Sequence, residues 1–131
     1  MKAYWDSSAL VEASADLALR TRLRKERGLT RTHALAEVFS ALTGGNLSIR
    51  LDANAAAEVV SALAQDLDFL DLTAAEVLAA LKEAQPRGVR GGRVHDFLHA
   101  KAAEKSGAED LLTTDRYDFE SLTDSVKVEL V

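Results

Sequence analysis

The chain is predicted to be an α/β protein, a three-layer sandwich with a central, mainly parallel sheet of about five strands and helices on both faces. Three observations predict this. Short apolar runs suited to strands alternate with longer segments of helical periodicity. Helices of this length allow right-handed crossovers between parallel strands. The 131 residues can build one core but not two, so residues 1–131 are predicted to form a single domain.

The first half of the chain is predicted to contain three helical segments and two short strands. The segments are a strand over Lys2–Trp5, a helical stretch over Ser7–Arg27 with a break around Ala13–Asp16, a strand over Gly28–Thr30, a helix from Thr32 to Gly44-Gly45 and a helix over Asp52–Gln65. Thr32 suits a helix cap. The spacing i, i+3, i+4, i+7 predicts the buried face of the helix that begins at Thr32, formed by Leu35, Val38, Phe39 and Leu42.

The second half is predicted to alternate in the same way. It contains a strand over Leu67–Leu72, a helix capped by Thr73 that runs towards Pro86, a helix over about Val94–Lys105, a strand over Leu111–Thr113 and a final strand over Val126–Val131. The glycine-containing stretch PRGVRGGR links the two helices. The strands are therefore joined mainly by helices, as a parallel sheet requires.

Composition excludes several classes of site. The chain has no cysteine, which excludes disulfides, thiolate zinc sites and cysteine nucleophiles. No apolar run is long enough to cross a bilayer, and Asp6 interrupts the segment where a signal peptide would be apolar. We therefore expect a cytoplasmic protein that has no membrane partner.

Basic residues are concentrated in two places although the net charge is −5. One cluster contains Arg20, Arg22, Arg24, Lys25, Arg27 and Arg31, and the second contains Arg87, Arg90 and Arg93. The negative net charge argues mildly against a nucleic-acid partner. A local cluster of positive charge can still guide RNA, or bind the acidic tail of a partner protein, despite the negative net charge. The alternative interpretation is that the clusters are ordinary solvated surface. The second cluster is the candidate RNA contact.

Four acids are predicted to meet at one edge of the sheet, because ligands of parallel sheets bind beyond the carboxyl ends of the strands. Asp6 directly follows the first strand, and Asp115 follows the strand Leu111–Thr113. Glu37 lies in the second turn of the helix that leaves the second strand, and Asp96 lies in the first turn of the helix that leads into the fourth. Their convergence follows from topology rather than from spacing.

Each acid also has a structural interpretation. Asp6 is suited to cap the following helix, Asp96 is favoured by the helix dipole, and Asp115 begins a turn. Glu37 lies off the apolar stripe of its helix, beside either solvent or an open cleft. Carboxylates that lie close together repel one another unless a cation binds between them. Mg²⁺ and Mn²⁺ prefer oxygen ligands, so we expect one or two of these ions at the site. Such ions activate a water for phosphodiester hydrolysis.

Three segments carry a family resemblance. The segments YWDSSALVEA, ALAEVFSALTG and GGRVHDFLHAKAAEKSGAEDLLTTDRYDF resemble PIN domains, particularly the VapC-like toxins of bacterial toxin–antitoxin pairs, over essentially the whole chain. The resemblance implies that the metal-binding and catalytic acids are Asp6, Glu37, Asp96 and Asp115, with the side chains of Ser7 and Thr113 beside them. Many members have asparagine where Asp115 stands, which leaves the contribution of Asp118 open.

The same resemblance implies an activity and partners. It implies a Mg²⁺- or Mn²⁺-dependent endoribonuclease that forms homodimers and is neutralised by a cognate antitoxin. The alternatives are a non-catalytic PIN-like module that binds protein or RNA, and a DNA nuclease or phosphatase with the same acids. His95 and His99 imitate the histidine pair of a zinc protease helix but lack an obvious third ligand. Trp5 is expected in the core rather than as an exposed platform for a base.

Overall fold

The protein was analysed as a computed structural model that describes residues 2–44 and 50–131, without the side chain of Asp118. In these residues there are five strands, seven α-helices and one 3₁₀ turn. They are β1 (Ala3–Trp5), α1 (Ser7–Ala15), α2 (Leu17–Glu26), β2 (Gly28–Thr30), α3 (His33–Gly44), α4 (Ala53–Ala64), β3 (Leu67–Phe69), α5 (Ala74–Lys82), the 3₁₀ turn (Gln85–Arg87), α6 (Arg93–Ser106), β4 (Asp110–Thr113), α7 (Tyr117–Glu120) and β5 (Lys127–Leu130).

The five strands form one sheet in the order β3-β2-β1-β4-β5, and every neighbouring pair is parallel. This confirms the predicted α/β fold, with an all-parallel rather than a mainly parallel sheet. Tyr4 in the central strand β1 pairs with Leu29 on one side and with Leu111 on the other. The carboxyl ends of β2, β1 and β4 therefore lie side by side.

Successive residues of β1 contribute to different cores, because side chains alternate between the faces of a strand. Ala3 and Trp5 pack with the apolar residues of α1 to α4, whereas Tyr4 packs with those of α5 to α7. Helices thus cover both faces of the sheet, as predicted. Trp5 is 1% exposed, which confirms its expected place in the core.

The centre of the sheet accommodates Trp5 because Gly28 has no side chain. A Cβ atom at Gly28 would lie 2.7 Å from Cδ1 of Trp5 and 2.8 Å from Cδ1 of Leu23. Both of these side chains are buried, so neither has room to move away. The close packing of β1 against β2 therefore requires glycine at this position.

Two predicted local features are confirmed: the break before α2 and the cap at Thr73. Asp16 caps α2 by accepting a hydrogen bond from the Leu19 N–H at 3.0 Å, which explains the predicted break between the first two helices. Thr73 caps α5 and forms a reciprocal capping box with Glu76. Each of these interactions spans only three residues, so the sequence itself contains both partners.

One predicted boundary and one predicted helix face were wrong. Strand β3 ends at Phe69 rather than Leu72, because Asp71 turns away to accept hydrogen bonds from Thr32. Phe39 is 36% exposed and does not belong to the buried face of α3, which is formed by Ala34, Val38 and Leu42. Helix α6 spans Arg93–Ser106, which agrees with the predicted helix over about Val94–Lys105.

Gly45, predicted to end α3 together with Gly44, lies outside the described residues. Within residues 2–44 and 50–131, no helix has both the length and the apolar character needed to span a membrane.

Candidate active site

Asp6 stands at the carboxyl end of β1 and caps helix α1. Its Oδ1 accepts hydrogen bonds from the Ala9 N–H at 2.8 Å and from the Ser8 hydroxyl at 2.7 Å. The residue is 3% exposed. The capping interpretation of Asp6 is therefore confirmed, but capping alone does not require a buried charge, since the caps Asp16 and Asp52 are both exposed.

Ser8 connects Asp6 to the end of the neighbouring strand β4. Its hydroxyl lies 3.3 Å from the Thr113 hydroxyl and accepts a hydrogen bond from the Thr114 N–H at 3.0 Å. The Thr113 hydroxyl in turn accepts a hydrogen bond from the Asp115 N–H at 3.1 Å. Asp6 and the backbone of Asp115 thus belong to one hydrogen-bonded network across the two strand ends, and Ser8 is a member that sequence reasoning missed.

The environment of Asp6 disfavours its charged form. Burial raises the pKa of Asp6, and the hydrogen bonds from Thr113, from the Ala9 N–H and from Ser8 offset this only in part, so the pKa stays above its ordinary value. Among the described residues, no lysine, arginine or histidine forms an ion pair with Asp6. A cation from outside the chain would compensate this buried carboxylate.

Glu37 is held by a buried histidine. His99, which is 1% exposed, places Nε2 at 2.8 Å from Oε1 of Glu37 and Nδ1 at 2.7 Å from the Tyr4 hydroxyl. An ionised carboxylate only accepts hydrogen bonds, so Nε2 carries the proton towards Glu37. Nδ1 forms the second hydrogen bond of the ring, with the Tyr4 hydroxyl. The sequence suggested at most a supporting role for His99, and this role in orienting Glu37 agrees with it.

The pKa of Glu37 is shifted in the opposite direction from that of Asp6. Burial raises the pKa of Glu37, but the hydrogen bond from His99 and the charges of His99, Arg31 and His33 lower it, and the net result lies below the ordinary value. Glu37 therefore stays ionised in a half-buried position.

Tyr4 lies within the electrostatic reach of both acids. Burial is the largest cause of its raised pKa, the hydrogen bond with Thr30 and the charge of Arg31 lower that pKa, and the charges of Asp6 and Glu37 raise it further. The central strand thus connects the two carboxylates electrostatically.

The remaining predicted site residues are located around this edge. Asp96 is partly buried in the first turn of α6, three residues before His99 on the same helix. Asp115 is exposed in a second cleft of about 550 Å³, which Arg116 and Tyr117 also line. The side chain of Asp118 lies outside the described residues.

A larger cleft of about 720 Å³ opens beside Glu37. Among its lining residues are Ser7, His33, Ser40 and His95. Within the described part of the chain, His33, Glu37 and His95 form the group whose metal-ligating atoms all lie within 4.8 Å of one another. His33 was not singled out from the sequence, although its spacing of four residues from Glu37 is a helical-face signal.

The donor chemistry at the strand ends fits a hard divalent cation. Asp6, Asp115 and Thr113 offer only oxygen atoms, the ligand type that Mg²⁺ and Mn²⁺ prefer. The buried charge of Asp6 adds a physical reason for a cation there. The group of His33, Glu37 and His95 contains only one of the four predicted acids, Glu37. The assignment of all four acids to a single metal site therefore stays a prediction.

Half of the first basic cluster forms ion pairs within the fold, whereas Arg24 and Lys25 are exposed. These ion pairs are distributed over separate elements: Arg20 with Asp66, Arg22 with Glu26 and Glu129, and Arg27 with Asp68. Arg31 is 8% exposed, and its Nε atom is buried without a hydrogen-bond partner. Of the second cluster, Arg87 pairs with Asp124, Arg93 donates to Ser121 and Arg90 is exposed. Contact of the second cluster with RNA stays a prediction.

The matched family model describes the PIN domain and covers residues 3–124. The chain belongs to the PIN-domain family. PIN domains are generally metal-dependent nucleases, so membership supports a nuclease. The chain is also similar to the crystal structure of PAE2754 from Pyrobaculum aerophilum, with a TM-score of 0.71 and 24% identity over 98% of this chain and 89% of that one. This PIN-domain likeness shows the shared fold. In a comparison with curated protein sequences, none matched.

Proposed function

We propose that this PIN-domain protein is a Mg²⁺- or Mn²⁺-dependent endoribonuclease that acts as the toxin of a toxin–antitoxin pair. The observation that carries the nuclease proposal is the buried carboxylate of Asp6, which lies at the carboxyl edge of the sheet without an ion-pair partner in the described chain. Family membership supports the nuclease class. The preference for RNA, the cognate antitoxin and the homodimer are supported by the resemblance of the sequence motifs to VapC-like toxins.

In this proposal, Asp6, Glu37, Asp96 and Asp115 bind one or two divalent ions. When bound, the ions lower the pKa of a water molecule and neutralise charge on the scissile phosphate. The chain's own groups hold the ligands in position. Ser8 and Thr113 fix the strand ends that carry Asp6 and Asp115, while His99 and Tyr4 fix Glu37.

Cleavage of labelled RNA in Mn²⁺ tests the activity. Asp6→Asn removes the charge but keeps an amide oxygen that caps α1, so the fold is retained. We expect Asp6→Asn and Asp96→Asn each to lower the rate at least about 100-fold, since even the loss of a group that supports a metal ligand commonly costs 10- to 100-fold. Asp110→Asn is the matched control, because Asp110 lies at the opposite end of β4.

Full cleavage by Asp96→Asn would contradict the metal-site assignment. The non-catalytic binding module is the competing function, and calorimetry separates the two: the absence of Mn²⁺ binding at millimolar metal favours the module. Growth arrest on expression, relieved by Asp6→Asn but not by Asp110→Asn, tests the toxin role in the cell.

A further inference from the structure

The large cleft contains two imidazoles and a carboxylate from two different helices. His33 and Glu37 are four residues apart on α3, so both lie on the same face of that helix. His95 projects from the first turn of α6, and its ring stacks on that of His33 with centroids 5.6 Å apart and planes 14° apart. Their ligating atoms and that of Glu37 all lie within 4.8 Å of one another.

The spacing is close to that of a metal site. Zinc binds histidine nitrogen at about 2.0–2.1 Å, which in a tetrahedral site separates neighbouring ligand atoms by roughly 3.3 Å. His33 and His95 are both exposed, so their rings are free to rotate and shorten the distances. The proposed site therefore requires rotation of these two exposed side chains towards Glu37.

Glu37 is already oriented for such a role. His99 bonds to its Oε1, and no other hydrogen bond to the carboxylate occurs in the described chain, which leaves Oε2 open to a metal. A ligating carboxylate that is itself held by a hydrogen bond is typical of protein metal sites. His99 does not compete as a ligand, because both of its ring nitrogens are engaged by Tyr4 and Glu37.

We propose that His33, Glu37 and His95 form a binding site for one transition-metal ion, with Zn²⁺ as the best match. Imidazole nitrogen favours Zn²⁺, Ni²⁺ and Cu²⁺, whereas Mg²⁺ favours carboxylate and water. The site thus differs in donor type from the oxygen-rich strand ends, although it shares Glu37 with the predicted set of acids. Three protein ligands leave a coordination position open to the cleft.

Calorimetric titration of the full chain with ZnCl₂, without Mg²⁺ or RNA, tests the site. We expect one Zn²⁺ per chain, and we expect His33→Ala and His95→Ala each to weaken binding at least about tenfold, since losing even a supporting residue commonly costs that much. Ser40→Ala trims another polar side chain of the same cleft, and Asp115→Asn removes a predicted Mg²⁺ ligand. Both should bind Zn²⁺ within about threefold of the unmodified chain.

Two results would overturn the site: equal Zn²⁺ binding by the histidine variants, or loss of binding in Asp115→Asn but not in His33→Ala. Circular dichroism checks that each variant is folded. Should a histidine variant not fold, Co²⁺ added to the unmodified chain still decides, because a nitrogen-ligated site of low coordination number absorbs visible light strongly and an all-oxygen octahedral site does so weakly. The readout needs no RNA, so failure of the ribonuclease proposal leaves it unaffected.

Discussion

Asp6 and Glu37 are two acids in the reach of one tyrosine, yet the fold treats them in opposite ways. Asp6 is 3% exposed, and its three hydrogen-bond donors are neutral, so burial prevails and its pKa rises. The Glu37 side chain is 23% exposed, and the surrounding His99, Arg31 and His33 lower its pKa. Depth of burial and the charge of the donors therefore decide whether a carboxylate is stabilised by the chain itself.

The contrast has a functional meaning. Glu37 is satisfied within the protein and is therefore ready to serve as an oriented ligand. Burial of the Asp6 carboxylate without a cationic partner in the described part of the chain lowers the stability of the fold. Such a loss of stability is typical of residues that serve activity rather than stability. Three substitutions measure the two sides of this comparison.

The largest effect is expected from His99→Leu. It removes the buried partner of the Tyr4 hydroxyl at Nδ1 and the donor to Glu37, so the free energy of unfolding should fall by about 2–4 kcal/mol. Urea denaturation measures this loss, and NMR titration of the Glu37 carboxyl should show its pKa rising. The control His95→Leu, one turn earlier and exposed, should change stability by no more than about 0.5 kcal/mol. If His99→Leu left the pKa of Glu37 unchanged, His99 would not be the reason why the pKa of Glu37 is lowered while that of Asp6 is raised.

Asp6→Asn is expected to stabilise the metal-free protein. Because the folded-state pKa of Asp6 is raised, its stabilising contribution is complete below about pH 4, the pKa of an unfolded aspartate, and is lost as pH rises through the raised value. At pH 7 the variant should therefore gain roughly 0.5–2 kcal/mol in urea denaturation, and the gain should vanish near pH 3. Asp52→Asn, at an exposed helix cap, is the matched control and should show no such gain. If Asp6→Asn destabilised the protein at pH 7, the charged Asp6 side chain would not lower the stability of the fold.

Glu37→Gln should have the smallest effect and the opposite sign. The folded-state pKa of Glu37 is lowered, so its contribution is present above about pH 4.3, the pKa of an unfolded glutamate, and is lost as pH falls through the lowered value. We expect a loss of roughly 0.5–1.5 kcal/mol at pH 7 and a smaller loss near pH 2. Glu12→Gln, an exposed position on α1, provides the comparison. Equal losses at both pH values would show that shape rather than charge holds Glu37.

Features that depend on neighbouring residues in the chain were predicted well. The predicted break at Asp16 and the predicted cap at Thr73 both depend on contacts three residues away, and the alternation of strands and helices implied a parallel sheet. Errors arose where a distant residue intervenes. The end of β3 depends on Asp71 contacting Thr32, and the exposure of Phe39 depends on which face of α3 packs against α1 and α4.

His95 and His99 show the same limit of local sequence patterns within the candidate site. His95 and His99 are four residues apart and suggested one ligand pair on one helix face. In the structure, His99 is buried against Tyr4 and Glu37, whereas His95 is exposed and stacks on His33, 62 residues away in the chain. Burial separates the pair, because α6 packs on the sheet at His99 but opens to the cleft at His95.

The sequence by itself determined the α/β class, the helix caps, the placement of acids after strands and the absence of thiolate chemistry, because these depend on residue type and short-range spacing. Only the tertiary structure decided that Asp6 is buried without an ion-pair partner among the described residues, that His99 holds Glu37, and that His33 contacts His95. These depend on burial and on contacts between residues far apart in the chain, which local patterns do not encode.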